Sequence, residues 1–311
     1  MTTAGNRPIN QSMTASQWSE LVLLSLLWGG TYLYTALALR EVDPFTIALC
    51  RTGLAVVFLY GAMLIARQSF PLTLSAWAAF AGMGIFNNVI PFSLIMWGQK
   101  EISSGLASIL IAATPLFTVI VAHWTTDDEK MSVNKIAGVL IGISGVVVLI
   151  GPSIWTDTTL TLVSQIAGLG AALSYAIGGI FGRRFAPHGY KPIVLTAGQL
   201  TMSTFVLAGI SLIFGNPFAL ASAGMVTWGA LLAIAIPATA LAYLLYFRIL
   251  TAAGATNIML VTLLMPASAI VLGAIVLGER LAWWHFAGMA LIALGLAAID
   301  GRLFRRERPG V

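Results

Sequence analysis

Charge is what this chain of 311 residues has least of. Asp, Glu, Lys and Arg make up 9% of it, against 59% hydrophobic residues. A soluble domain carries roughly 25% charged residues. So few charges cannot clothe a water-facing surface, so most of the surface faces lipid. Carboxylates are scarcer still where they would matter. None of the 11 Asp and Glu residues lies in the interior of a long apolar run; Glu20 and Asp300 sit at run ends and the rest in loops or the tail. Intramembrane acids serve as proton relays, so proton/cation antiport through a buried shared carboxylate is excluded. The one cysteine, Cys50, leaves no disulfide framework within the chain. No G-x-x-x-x-G-K-[ST] loop appears, which rules out ATP-driven pumping by this chain alone. The net charge of +5 and pI near 9.6 would suggest nucleic acid in a soluble protein. Here the basic residues are few and sit in loops, so no nucleic-acid partner is expected, and no metal or cofactor either.

What fills the chain is apolar sequence in membrane-spanning lengths. A helix needs about 20 mostly apolar residues to cross a bilayer. Ten such runs are predicted at 18–39, 44–66, 75–97, 103–123, 133–150, 161–182, 192–214, 226–248, 255–277 and 281–299. Short breaks hold the charges and turn formers, as in Arg40-Glu41-Val42-Asp43-Pro44 and Pro187-His188-Gly189. Transmembrane β-strands would be about ten residues long and alternate in polarity, so the fold class is all-α and integral to the membrane. The first run ends near Ala36-Leu37-Ala38, which resembles a signal-peptidase site. Secretory apolar regions are only about 7–15 residues long, and this run is read as a retained first helix.

Basic residues set the orientation. With both termini inside, Arg7, Arg67, Lys130, Lys135, Arg183, Arg184, Lys191, Arg248, Arg302, Arg305, Arg306 and Arg308 lie on the inner side. Arg40, Lys100 and Arg280 lie outside. Twelve against three places both termini in the cytoplasm of a bacterial inner membrane. Eight of the nine Trp residues, Trp155 among them, fall at span ends, where indoles prefer the headgroup level; Trp28 alone falls mid-span.

The two halves repeat. Glu129-Lys130, Ala137-Gly138, Gly145 and Gly151 match Glu279-Arg280, Ala287-Gly288, Gly295 and Gly301 at a constant shift of 150. Pro44 pairs with Pro192, Arg51 with Gln199, Pro115 with Pro266 and Trp28 with Tyr175. Each half holds five spans, so the copies cross the membrane in opposite senses. Inverted repeats of this kind are common in secondary transporters. The expected division is a tail over 1–17, a first repeat over 18–150, an extracytoplasmic linker over 151–160, a second repeat over 161–300 and a basic tail over 301–311.

Trp28-Gly29, Arg51, Pro115 and the Glu-Lys/Arg…Gly…Gly pattern closing each half resemble the EamA-type branch of the drug/metabolite transporter superfamily. The resemblance spans about residues 18–300 and is nearest in character to bacterial aromatic amino-acid exporters. It implies ten helices around a central cavity lined by helices 1–4 and 6–9, with helices 5 and 10 peripheral, and no enzymatic activity.

Candidate site residues follow from polarity at mid-depth. Trp28, Tyr32, Asn87, Asn88, Thr114, Tyr175, Thr239 and Tyr243 are expected around a substrate cavity. Consecutive residues point about 100° apart on a helix, so one of Asn87 and Asn88 can face the cavity and the other a neighbouring helix. For a threonine, a hydrogen bond back to the preceding turn competes with a cavity role. Pro91, Pro115, Pro237 and Pro266 are expected to break or hinge their helices, since proline frees a carbonyl that protein or cavity water must satisfy. Arg51, the one ionisable group well inside a span, has two readings: it grips a substrate carboxylate, or it snorkels outward or pairs with a carbonyl. Sugar-phosphate exchange would want several buried cations, and only Arg51 is available. An uncharged, aromatic and amide-lined cavity suits an amphipathic solute, with zwitterionic amino acids first and lipophilic drugs as the alternative.

A different class also has a motif. Gly142-Ile143-Ser144-Gly145 matches the GxSG nucleophile motif of intramembrane serine proteases, with His285 at comparable depth as a base. The repeat mate of Ser144 is Leu294, however, and Gly138, Gly142 and Gly145 also read as helix-packing positions. Such glycine faces serve a monomer or a weak dimer. The sequence is therefore read as a secondary transporter exporting amino acids, chiefly aromatic or hydrophobic ones, or related metabolites by alternating access.

Overall fold

The computed structural model describes residues 13–127, 129–152, 158–183, 190–253, 255–258 and 260–300. Trp155, His188, half of the expected linker and most of both tails lie outside the described residues. Among the described residues, ten apolar helices form a single bundle: α1 (Ala15–Ala38), α2 (Pro44–Ile65), α3 (Leu74–Gly98), α4 (Ser104–Thr125), α5 (Val133–Ile150), α6 (Thr159–Arg183), α7 (Pro192–Phe214), α8 (Met225–Leu250), α9 (Val261–Leu277) and α10 (Trp283–Ile299). The first eight are each long enough to cross a bilayer, and the shorter α9 is preceded by a further helical turn at Ala255–Ile258. Among the described residues there is no strand. Large apolar side chains such as Leu64, Val147, Phe205 and Ile213 stay on the outside, where lipid replaces water.

Local sequence fixes the helix ends. Thr14 and Gln17 form a reciprocal capping box ahead of α1. Asp43 caps α2, its Oδ1 accepting from the N–H groups of Phe45 and Thr46 at 3.0 Å each, with Pro44 at the first helical position. Ser103 caps α4 and Ser132 caps α5. Gly278, at φ 69°, ends α9 in the left-handed region that glycine tolerates.

The packing follows a two-fold pattern. α1 packs on α8 and α9, while its repeat mate α6 packs on α3 and α4; α2 pairs with α7, and α5 with α10. The α5–α10 contact is built on the repeated glycines. A Cβ on Gly138 would lie 2.5 Å from the Gly295 carbonyl oxygen, and one on Gly145 would lie 2.7 Å from that of Gly288. Gly138 and Gly288 are mates, as are Gly145 and Gly295, so the pairs exchange partners as a two-fold axis requires. The glycine faces are therefore used inside the chain. Ser144 is exposed on α5 and donates to the Ile141 carbonyl at 2.6 Å. The glycines of the GxSG motif are spent on helix contact.

The helix breaks correct one expectation. α3 opens into a π-turn at Ile85–Val89 and α8 into one at Ile236–Leu241. Each starts 11 residues after its helix begins, in matching register. Pro91 and Pro237 do not match in register: one follows its π-turn and the other lies within it. α4 is interrupted at Ala112 and Ala113, just before Pro115. The carbonyl of Ile111, orphaned by Pro115, accepts from the Thr114 hydroxyl at 2.7 Å. Pro266 does not break its helix; Val261–Leu272 runs through it. Gly29 of α1 lets the two helices close there, since a Cβ at Gly29 would come within 2.7 Å of Ser268 and 2.9 Å of the Met265 carbonyl.

Candidate functional site

A cavity of about 590 Å³ lies between the two repeats, lined by residues of α1–α4 and α6–α9 and by none of α5 or α10. Its volume falls in the usual range for small-molecule sites, about 300–1,000 Å³. The wall runs from Thr35 and Gln99, near the end of the bundle that carries the α1–α2 loop, to Arg183 and Leu250 at the end where α1 begins. The first of these is called the distal end here and the second the proximal end.

Aromatic rings form much of the wall. Trp28 sits on α1 with its ring 5.6 Å from that of Tyr246 and 6.3 Å, edge-on, from that of Tyr243. Tyr32, Tyr175, Phe92 and Phe247 complete the set. Thr114 lines the cavity while its hydroxyl remains tied to the preceding turn, so both of its expected roles coexist.

The asparagine pair divides. Asn87 lines the cavity and abuts Gly178 of α6, where a Cβ would collide with its Oδ1. Asn88 is fully buried off the wall: its Nδ2 donates to Ser203 Oγ at 3.1 Å, and its Oδ1 accepts from the Tyr243 hydroxyl at 3.4 Å. Its expected place on the wall is therefore corrected, because the π-turn rotates it toward α7. That turn has a second effect. The Ile90 N–H bonds the Ile85 carbonyl instead of that of Phe86, and the Phe86 carbonyl accepts from Ser174 of α6 at 2.8 Å.

Thr239 is likewise off the wall. It is fully buried in the π-turn of α8, donates to the Ile234 carbonyl at 2.8 Å, and accepts from Arg51 Nε at 3.0 Å. Its role is to hold Arg51. Outward snorkelling of Arg51 is thus overturned. Its guanidinium carbon lies 3.8 Å from the centre of the Phe92 ring, the side chain is 9% exposed, and it lines the cavity. A cation–π contact and a hydroxyl acceptor inside the bundle replace the interfacial water it would otherwise seek.

Gln99 and Gln199 also line the cavity and were not singled out as wall residues from sequence. Gln99 Nε2 donates to the Tyr32 carbonyl at 3.0 Å. The Oε1 atoms of both glutamines are buried without a partner. The repeat alignment of Gln199 with Arg51 was the available signal for one of them; Gln99 had none.

The distal end is stitched shut by carboxylates from loops. Glu279 Oε1 accepts from the Ser104 N–H at 2.8 Å and Oε2 from that of Gly105 at 3.3 Å. Glu41 Oε2 accepts from the Gly224 N–H at 2.7 Å, and Asp43 Oδ2 from that of Asn216 at 2.8 Å. The Gly224 N–H, then the Thr227 hydroxyl, hold the Glu41 carboxyl below its ordinary range. At the proximal end, Glu129 pairs with Arg183 and Glu20 with Arg248, each at 2.7 Å. Among the described residues no three His, Cys, Asp or Glu side chains gather where they would hold a metal ion.

The model of the EamA-like transporter family matches residues 19–151 and again 162–299. The chain belongs to that family. The double match restates the internal duplication that the glycine contacts display. Two relatives of this EamA transporter, from Salmonella typhimurium strain LT2 and Escherichia coli strain K12, are each described as a probable amino-acid metabolite efflux pump. Both are 26% identical over 282 residues, covering 88% of this chain and 91% of theirs. An uncharacterized transporter of Bacillus subtilis is 22% identical over 276 residues, covering 89% of this chain and 94% of its own. A solved crystal structure matches with TM-score 0.66 at 19% identity, covering 96% of this chain and 100% of that one, which shows the same fold. The protein is a multi-pass membrane transporter for small molecules.

Proposed function

We propose that this EamA transporter exports amino acids, chiefly aromatic or hydrophobic ones, or related small amphipathic metabolites by alternating access. The observation that carries the reading is the cavity wall, where seven aromatic side chains and two glutamines accompany Arg51, with no carboxylate among the lining residues; the second lining cation, Arg183 at the proximal end, is already paired with Glu129. Rings offer surface to an apolar side chain, and the polar groups orient a charged head. A lipophilic cation would meet like charge at Arg51, which disfavours a drug-exporter reading. The two efflux-pump relatives support the direction of transport. Carriage needs no buried acid, so it is facilitated or coupled through the solute itself. With the basic loops inside, the protein sits in a bacterial inner membrane with cytoplasmic termini, and the cavity reaches toward the cytoplasm. The α5 and α10 glycines, spent within the chain, favour a monomer.

Uptake of labelled phenylalanine, tryptophan and leucine into proteoliposomes, with and without an imposed pH gradient, tests this. Saturable uptake indifferent to the gradient is expected. Absence of uptake for every amino acid tried would remove the substrate class and leave the family assignment standing.

A further inference from the structure

Arg51 is an unusual object for a membrane interior: a permanent charge whose capacity is mostly unspent. A guanidinium does not lose its proton in proteins and carries five N–H donors. Arg51 spends Nε on Thr239. Among the described residues its Nη1 and Nη2 donors have no acceptor. The titratable groups within its electrostatic reach are the phenols of Tyr175, Tyr243 and Tyr32, none of them an acid. Buried charges are paired or hydrogen-bonded, because an unpaired one is expensive. The pairing group is therefore something the protein does not supply.

The orientation of the guanidinium narrows what that group is. Thr239 can accept from Nε because its own proton is committed to the Ile234 carbonyl. That geometry exists because the π-turn of α8 places residue 239 five positions after the carbonyl it bonds. Phe92 covers one face of the fork. What remains is the Nη1/Nη2 edge, two parallel donors that match the two oxygens of a carboxylate. Across the repeat, the mate Gln199 is 3% exposed and lines the same cavity with an unpartnered Oε1; Gln99, 8% exposed, offers another. These are neutral acceptors. An ammonium finds no opposite charge on the wall, and it feels repulsion from Arg51.

We infer that Arg51 is the specificity-determining residue and that it requires a carboxylate on the solute while leaving the amine dispensable. The transported class is then monocarboxylates with an apolar side chain, in which 2-oxo acids rank with the matching amino acids and the decarboxylated amines are rejected. This rests on the transporter reading above and is sharper than it, because it orders compounds that share one side chain.

Two matched series test it by ligand-induced thermal stabilisation of the full-length protein in detergent. One is phenylalanine, phenylpyruvate and 2-phenylethylamine; the other is leucine, 4-methyl-2-oxopentanoate and isopentylamine. Titration should show both carboxylates of a series binding, with the amine weaker by about tenfold or more, the scale of one charge-assisted hydrogen bond. Arg51→Gln should cost the carboxylates about tenfold or more in apparent affinity and leave the amines no weaker than before, with Arg51→Lys in between. The comparison within wild-type protein needs no variant to fold. The inference is overturned if an amine binds as tightly as its 2-oxo acid, if no carboxylate of either series binds, or if folded Arg51→Gln responds as wild type does. Binding of 2-oxo acids without amino acids would overturn both the amino-acid reading and the dispensability of the amine, whereas failure of transport with the predicted order of binding would sink the transport reading alone.

Discussion

Removing the Glu279 carboxylate should loosen the distal end of the cavity. This carboxylate reaches from the α9–α10 loop to the first turn of α4, where it accepts from the Ser104 and Gly105 N–H groups. These are N-terminal helix donors with no partner of their own in the helix, and a negative charge there also meets the positive end of the helix dipole. A hydrogen bond to a charged group contributes about 1.5–3 kcal/mol when buried. Glu279 is half-buried, and water can replace part of what is lost, so about 1–2 kcal/mol is the defensible loss for Glu279→Ala. That shifts a closed/open equilibrium about five- to thirtyfold. The assay replaces Cys50 by Ser and Thr35 by Cys, then follows labelling by a membrane-impermeant maleimide added on the side of the α1–α2 loop. Thr35 lines the cavity near its distal end and is 2% exposed, so its labelling rate reports opening. The rate should rise about tenfold with Glu279→Ala and less with Glu279→Gln, which keeps acceptors and loses charge. Pseudo-symmetry adds a sign test. The mate Glu129 here pairs with Arg183, whereas the two-fold axis assigns it the helix start at Ala255 when the other end closes. Glu129→Ala should therefore slow labelling at position 35. Unchanged labelling in Glu279→Ala, with the protein folded, would refute the reasoning.

Asn88→Ala should lower the melting temperature by breaking the contacts to Ser203 and Tyr243, whereas Asn87→Ala should alter apparent affinity and leave stability close to wild type; the opposite pattern would reverse the assignment of the pair. Gly145→Leu should cost about 3 kcal/mol or prevent folding, because the side chain has no room against Gly288, and thermal unfolding reads this. Glu41 has a folded pKa below its unfolded one, so its contribution is full above the unfolded value and fades as pH falls through the folded value. Glu41→Gln should flatten that acid-side loss in melting temperature against pH. Ser144→Ala should leave transport unchanged, since its hydroxyl serves only the Ile141 carbonyl; total loss would revive the nucleophile reading.

The spans were legible because lipid enforces them. Apolar runs bounded by charges and by Pro44 and Pro192 give 44–66 and 192–214 from sequence, and the helices run Pro44–Ile65 and Pro192–Phe214. The site was legible in part. Trp28 and Tyr175 stood out because an aromatic at mid-depth on mated helices has few reasons to be there. Facing was not legible: helices apolar all round carry no stripe to say which side looks inward, so the inward turn of Arg51 and the burial of Thr239 could not be read. The π-turns left no mark either. An extra residue in one turn changes the phase of a helix without changing its composition, and that phase sends Asn88 to α7 and Thr239 to Arg51.

The π-turns also carry a date. A turn that closes on the fifth residue instead of the fourth absorbs one additional residue without displacing the helix on either side. Both halves hold such a turn at the same distance from the start of the corresponding helix. One insertion made before a duplication would account for both, whereas the π-turn at Gly273–Leu277 of α9 has no counterpart in α4. A single five-helix chain could build such a cavity only as two copies inserted in opposite directions, each lending the other an identical wall. The difference between Arg51 and Gln199 could arise only once the two walls were encoded separately, and with it the molecule gained a head end and a tail end for whatever it carries.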